Sequence, residues 1–319
     1  MTLHVLFILW IASAIGILFE RRLYRIIIYF CIFSLLASLV YLFLGAPDVA
    51  IAEAGISAFT TIFFVIFLGG YYRFYSSFAR ESKQSLPGEK SKLFLLLFKN
   101  SFLPFAFIAV IFLLFVYLMP TQYASYYLKH RYLANFMTDV GGENVVNAIL
   151  LGYRVYDTLF EALALVIAVV AVLHMSHFGK ESVNDGRHSE VEDSNMATGI
   201  VRIVCPLIVI FGLYLIINGH ISAGGGFQGG LAIAAFFICR YMIHNIYDIS
   251  VKKVMHLEEM MFVSIILLAV LAVILGAGAL LPPVFQVLYL VLMNVFIGMK
   301  VACGFFVLFY RYIAVERVR

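Results

Sequence analysis

The chain has 319 residues, 64% hydrophobic and 13% charged, with a formal net charge of +4. Soluble domains are about half apolar and about a quarter charged, so this composition excludes an ordinary soluble enzyme and predicts an all-α, polytopic integral membrane protein. The small positive excess sits in short loops and calls for no nucleic-acid partner.

Nine apolar stretches come near the ~20 residues that a bilayer-spanning helix needs. They are 3–19, 26–44, 49–70, 93–119, 146–173, 198–217, 226–243, 261–280 and 284–310. The first has no basic segment before it and ends at Glu20-Arg21-Arg22, with no small-residue cleavage site. It therefore reads as a span, not a signal peptide. Basic residues gather on one side: Arg21, Arg22 and Arg25 after the first span, then Arg73, Arg80, Lys83, Lys90, Lys92 and Lys99 around the third connection. Lys180 and Arg187 follow in the fifth, Arg240, Lys252 and Lys253 at the seventh, and Arg311, Arg317 and Arg319 in the tail. The even-numbered connections carry only Lys129 and Arg131. The positive-inside rule then places the N-terminus outside and the C-terminus in the cytoplasm. Tyr71, Tyr72, Tyr75, Tyr126 and Tyr127 fall at span ends, as interfacial aromatics do.

Two polar linkers, 76–92 and 177–195, separate groups of three, two and four spans, giving units 1–92, 93–195 and 196–319. No internal repeat is visible, which argues against an inverted-repeat transporter. Cys31, Cys205, Cys239 and Cys303 each stand alone in apolar sequence without a C-x-x-C pair. The expectation is therefore no metal or iron–sulfur site built on cysteines and no cofactor on this chain.

Ionisable residues inside spans are costly and mark candidate functional positions. Within Ala46-Pro47-Asp48-Val49-Ala50-Ile51-Ala52-Glu53-Ala54-Gly55, Pro47 suits a helix start. Asp48 there reads either as a first-turn acid complementing the helix dipole or as part of an ion path. Glu53 is about 8 Å deeper along the axis and is flanked by small residues that allow close approach. Within Tyr153-Arg154-Val155-Tyr156-Asp157-Thr158-Leu159-Phe160-Glu161, Asp157 and Glu161 are i and i+4 and share a helix face. Arg154 is placed to pair with Asp157, and Gly152 is expected to mark a bend with an interfacial piece before it. Two neighbouring carboxylates suit proton exchange.

Residues 218–230 read NGHISAGGGFQGG and contain G-x-G-x-x-G at Gly224, Gly226 and Gly229. A dinucleotide fingerprint needs a strand before the glycines, but both flanks, 200–217 and 231–238, are apolar in the manner of spans. Asp248 stands near the expected distance for the ribose-binding acid, yet in a charged loop. Gly224, Gly225, Gly226, Gly229 and Gly230 are therefore expected to make a tight turn and close helix contacts. His220 is either a proton relay or a helix-end residue. Lys300 lies too deep in the last span to reach water easily and wants a carboxylate partner, in this chain or in a neighbour, or else loses its proton. Asn294, six residues earlier, is a candidate for hydrogen-bonding nearby water.

These motifs resemble a known family. G-H-x-x-x-G-G-G-F-Q-G-G, together with Asn294-Val295-Phe296-Ile297-Gly298-Met299-Lys300, is similar to the B-type component of Mrp-type multisubunit sodium/proton antiporters (MnhB-like), with Ala223 where that family usually has Pro. Pro47-Asp48-Val49-Ala50-Ile51-Ala52-Glu53-Ala54 resembles the D-V-A-x-T-E-A helix of the small D-type component, with Ala52 where Thr is common. Tyr156-Asp157-Thr158-Leu159-Phe160-Glu161 resembles the F-D-T-x-x-E helix of the E-type component. The D and E units form the C-terminal part of the large Mrp polypeptide and occur separately in membrane-bound hydrogenases. The resemblance thus implies a D–E–B fusion, nearly end to end.

It further implies that Glu53, Asp157 and Glu161 line a Na⁺ or H⁺ path, that Thr158 and backbone carbonyls supply ion ligands, and that His220 and Lys300 serve as relay or structural pair. Implied partners are other antiporter-module membrane subunits and, in a redox-driven pump, hydrogenase or iron–sulfur subunits, in the cell membrane of a prokaryote. The fourteen-helix unit that precedes this region in the large Mrp polypeptide is not in this sequence, which leans the expectation toward a hydrogenase-type complex. The alternatives are a component of a stand-alone Mrp exchanger, an independent secondary transporter and a structural scaffold. No nucleophile–base set is present, so any redox chemistry belongs to partners.

Overall fold

A computed structural model describes residues 2–20, 22–81, 113, 122–175, 195–243, 251–274 and 283–318. Every regular element among them is a helix: α1 (Thr2–Phe19), α2 (Leu23–Phe43), α3 (Pro47–Glu81), α4 (Gln122–Asp139), α5 (Val145–Ala148), a π-helical turn (Ile149–Tyr153), α6 (Val155–Met175), α7 (Asn195–Ile217), α8 (Gly226–Ile243), α9 (Val251–Ile274) and α10 (Pro283–Val318). Five stretches are long and apolar enough to cross a membrane: Leu23–Phe43, Pro47–Val65, Val155–His174, Val251–Ile274 and Phe285–Tyr310. Leu3–Phe19, Val201–Ile217 and Gly226–Arg240 are shorter apolar helices.

The chain divides into two units, Met1–Tyr71 with Asn135–Arg319, and Tyr72–Ala134. The second holds the end of α3 and most of α4. In the first, α1 packs along α2, where Trp10 stacks on Phe33 at 5.3 Å between ring centroids. Gly45, with φ 76°, reverses the chain between α2 and α3, and Pro47 then opens α3 where its missing N–H costs nothing. α10 is the central element, packing against α6, α8 and α9, while α8 also lies along α7. Leu231, Ile265, Leu290, Met293, Ile297 and Val301 form the buried core where these helices meet, and Ala148 of α5 and Leu151 of the π turn belong to the same cluster. The outer face of α7 (Ile203, Leu207, Ile210) is apolar and exposed, as a surface meeting lipid or a partner protein is.

Several element bounds differ from the sequence expectation. α3 runs on through Glu81, into the predicted linker, because residues 71–81 contain no glycine or proline to stop it. The expected long connection before the fifth span contains α4, which is polar; loss of hydropathy ends a membrane span but does not end a helix. The stretch 146–173, by contrast, is interrupted where Gly152 led us to expect a bend. It breaks at the π turn, with Gly152 pressed against Val140, where a Cβ would sit 2.6 Å from a Val140 methyl. α9 begins at Val251, ten residues before the expected start of its span. The expected span 93–119 and the linker 177–195 lie almost wholly outside the described residues.

Candidate functional site

Asp48 sits in the first turn of α3, only 6% exposed. Its Oδ1 accepts hydrogen bonds from Asn144 Nδ2 at 3.1 Å and from the Gly224 N–H at 2.9 Å. Asn144 is the organising residue of this hub. Its Oδ1 caps α5 by accepting from the Val146 N–H at 2.9 Å and the Asn147 N–H at 3.4 Å. Its Nδ2 also donates to the carbonyls of Gly219 (3.1 Å) and Ser222 (2.9 Å). The glycine loop is thereby tied to the starts of α3 and α5.

Within that loop, Gly224 and Gly225 have φ values of 146° and 147°, a backbone conformation open to glycine and strained for other residues. Beyond it the glycines of α8 let three helices close in. A Cβ on Gly226 would lie 2.5 Å from the Asn294 carbonyl, on Gly229 2.6 Å from the Gly212 carbonyl, and on Gly230 2.6 Å from the Gly298 carbonyl. Asn294 Oδ1 accepts the Gly226 N–H at 2.9 Å, so this side chain caps α8. His220 holds its imidazole Nδ1 3.0 Å from the Ile217 carbonyl. The His220 carbonyl receives the N–H groups of Glu143 (2.8 Å) and Asn144 (3.0 Å).

Glu53 lies part-buried further along α3, where its carboxylate accepts a hydrogen bond from the Ser34 hydroxyl of α2. On α6, Asp157 pairs with Arg154, and both side chains are about half exposed, at 45% and 59%. Glu161, one turn on, is also exposed, beside the outward apolar residues Tyr156 and Phe160. Thr158 turns inward: it is 7% exposed and its hydroxyl donates to the Leu150 carbonyl at 2.9 Å. The Tyr289 hydroxyl likewise donates to the Leu151 carbonyl at 2.9 Å, so both side chains satisfy carbonyls of the π turn.

The deepest charges are on α9 and α10. Lys300 Nζ donates to Glu258 Oε1 at 2.7 Å, with side-chain exposures of 0% and 3%. The ammonium also stands 5.7 Å from the centre of the Phe262 ring. A buried pair of this geometry offsets desolvation only through close contact, and loss of either partner strands the other.

The structure thus joins Asp48 to the glycine loop and gives Lys300 a carboxylate in its own chain. Among the described residues no hydrogen bond or ion pair links Glu53, Asp157, Glu161 and Lys300 to one another. Sequence reasoning missed Glu258, Asn144, Asn147, Gln228 and Ser34. Glu258 carried a readable signal: Glu258, Phe262, Ile265 and Ala269 fall at helical spacing, so the buried stripe of α9 extends back to include it. Among the described residues no group of three or more His, Cys, Asp or Glu side chains could hold a metal ion, and all four cysteines are free thiols.

An architecture that is all helical among the described residues, with several membrane-length apolar helices, is that of a multi-pass membrane protein. Residues 8–72 match the MbhD family and residues 104–186 the MbhE family, the D- and E-type subunits of MBH. Residues 196–313 match the family described as "Domain related to MnhB subunit of Na+/H+ antiporter". Three successive stretches of the chain thus match the MbhD, MbhE and MnhB-related families, in that order.

A protein of Rhizobium meliloti (strain 1021), named as the probable A/B subunit of a K(+)/H(+) antiporter, is 26% identical over 267 residues, covering 74% of this chain and 26% of the relative. An uncharacterized protein of Methanocaldococcus jannaschii is 32% identical over 126 residues, covering 35% of this chain and 45% of the relative. A solved chain of the Mrp complex from Dietzia sp. DQ12-45-1b has the same fold, with a TM-score of 0.69 at 19% identity, over 97% of this chain and 34% of that one. The chain accordingly spans less than half the length of these relatives.

Proposed function

We propose that this chain is a membrane component of a multisubunit Mrp-type cation/proton antiporter module, contributing side chains to the ion path. In this reading units 1–92, 93–195 and 196–319 are the D-, E- and B-type parts. Nine helices cross the cell membrane of a prokaryote, with the N-terminus outside and the C-terminus in the cytoplasm. Glu53, Asp157 and Glu161 exchange Na⁺ or H⁺, with Asp48 and His220 beside the glycine loop and the Glu258–Lys300 pair as a charge element within the bundle. Thr158 orders the break before α6, and its hydroxyl is committed to Leu150. The chain works with other antiporter-module subunits, and any cofactor or redox centre belongs to those partners.

The observation that carries this reading is the exposure of Asp157 and Glu161 on α6, whose sequence is otherwise apolar enough to span a membrane. Carboxylates facing hydrocarbon are costly, so that face needs a polar partner or a hydrated path. A hydrogenase-type complex is the first setting. The fold likeness to the Dietzia Mrp complex, over 97% of this chain, favours a stand-alone exchanger as the second. Purification of the tagged chain from native membranes, with identification of what accompanies it, tests both. Iron–sulfur or hydrogenase subunits beside antiporter-like ones support a redox-driven pump, and antiporter subunits alone support the exchanger. A lone chain that moves Na⁺ or H⁺ in vesicles would overturn the obligate-subunit reading.

A further inference from the structure

Three side-chain amides meet beside Gly225. The position its absent Cβ would take lies 3.1 Å from Gln228 Oε1, 3.5 Å from Asn294 Oδ1 and 3.9 Å from Asn147 Oδ1. Asn147 and Asn294 are 5% and 1% exposed, yet the Nδ2 of each lacks a hydrogen-bond partner. The Asn147 carboxamide makes no hydrogen bond at either end among the described residues. Buried amides are almost always satisfied, so three amide oxygens facing one point, on side chains of which two have an unpaired Nδ2, mark a place for a polar ligand, even though Asn294 Oδ1 already accepts the Gly226 N–H. The same hub contains Asp48, buried and held by two neutral donors, with no basic side chain paired to it among the described residues. Gln228 connects the two halves, its Nε2 donating to the Asp48 backbone carbonyl at 3.5 Å.

The ligand's chemistry follows from the donor set. Amide and carboxylate oxygens are hard ligands and select hard cations. One carboxylate among neutral amides balances a single positive charge. Water retained by such an ion would be an acceptor for amide N–H groups that otherwise have none. Gly225 keeps the space open, because any side chain there would project among the three oxygens.

We propose that the hub beside Gly225 binds a monovalent cation of the sodium class through the amide oxygens of Asn147, Gln228 and Asn294, with the Asp48 carboxylate as counter-charge. The proposal deepens the translocation reading and rests on it, placing a cation-holding position at the glycine loop, apart from the carboxylates of α6.

The test uses the intact complex purified from native membranes. Crystals are exchanged into Tl⁺, a heavy monovalent probe, and its anomalous signal is located; competition by Na⁺ is measured in solution. The wild-type complex is expected to show Tl⁺ beside Gly225, displaced by Na⁺. Asn147→Leu removes an amide with no internal hydrogen bond, so assembly is retained while Na⁺ competes about tenfold or more weakly. Gln228→Leu reads the same position should the first variant assemble poorly. Density beside Gly225 that is insensitive to both ions, hence water alone, overturns the proposal, as does undiminished affinity in both variants. A complex that transports Na⁺ without Tl⁺ at this position overturns the site alone. Tl⁺ bound there in a complex that moves no cation in vesicles overturns the translocation reading and leaves the site standing.

Discussion

The α9–α10 contact and the outer face of α6 treat charge in opposite ways. Between α9 and α10, Glu258 and Lys300 neutralise each other at 2.7 Å, sealed from any surface. On α6, Asp157 has Arg154 for a partner but stays half exposed, and Glu161 is exposed on the same face. The first arrangement is complete within the chain. The second leaves carboxylates open on an apolar helix, where hydrocarbon would offer them no hydrogen bonds. One polypeptide thus carries a charge pair closed within the bundle and open charges left to be met by water or by a polar neighbour.

The sharpest way to break that contrast is to open the closed pair. Glu258→Gln leaves an ammonium buried without a counter-charge and is expected to cost about 3–5 kcal/mol. It should lower the unfolding temperature in detergent and the yield of assembled complex. The double variant Glu258→Leu with Lys300→Met replaces the pair by apolar groups of similar volume and should return stability to at least the native level. If the double variant is as damaged as the single one, the pair is more than an internal neutralisation. Transport by a stable double variant would then separate a structural pair from a proton-handling one: retained exchange marks it structural.

Packing at the glycine helix comes next. A methyl group on Gly230 would meet the Gly298 carbonyl at 2.6 Å and Val301 Cβ at 2.8 Å, both rigid neighbours. Gly230→Ala should therefore cost about 1–3 kcal/mol, read as lost thermal stability and loosened α8–α10 contact. Gly199 on α7 is the control: nothing lies within 4 Å of its Cβ position, so Gly199→Ala should be neutral or stabilise by up to about 1 kcal/mol through helix propensity. Equal effects at the two positions would remove the close-approach argument. Asn144→Ala deletes the α5 cap and a donor to Asp48 together, with an expected loss of about 1–2 kcal/mol. Its signature is faster amide exchange at Gly224, whose N–H bonds Asp48, while α10 amides stay protected.

The open charges were the more legible in the sequence, because an isolated acid in an apolar run announces itself without reference to the fold. Glu53, Asp157 and Glu161 were singled out that way, and so was Lys300 of the closed pair, though not its partner; the Gly152 break and the glycine run were legible as well. The closed arrangements were less legible. Glu258 stands in Val251-Lys252-Lys253-Val254-Met255-His256-Leu257-Glu258-Glu259, where neighbouring charges make it look like part of a solvated loop. Only its helical spacing from Ile265 and Ala269 betrays a buried face. The Asp48–Asn144–Gly224 hub joins residues 96 and 176 positions apart, and no local pattern encodes such a meeting. Composition shows how much apolar surface is available, whereas pairing of buried polar groups depends on which helices become neighbours. The α4 helix was missed for a simpler reason: hydropathy reads membrane burial, and α4 is a helix without it.

The smallest effect on the fold should come from the residue with the largest expected effect on transport. Glu161 makes no ion pair or side-chain hydrogen bond among the described residues and is exposed on α6. Glu161→Gln should therefore change the stability of the purified chain by no more than about 0.5 kcal/mol. Its size and polarity are kept, so helix packing gives no reason for loss of assembly. If the exposed face of α6 lines an ion path, the neutral amide removes the charge that attracts and exchanges Na⁺ or H⁺, and cation-driven proton movement in vesicles should fall by about tenfold or more. Asp157→Asn sharpens the same point, since Arg154 would then be left without its carboxylate and turn a local neutral pair into a net positive charge on that face. Loss of transport in both variants with normal assembly means that the open carboxylates act in translocation. Loss of assembly with normal transport per assembled complex means that their work is to grip a neighbouring protein, and the contrast with Glu258–Lys300 would then lie between pairing within a chain and pairing across an interface.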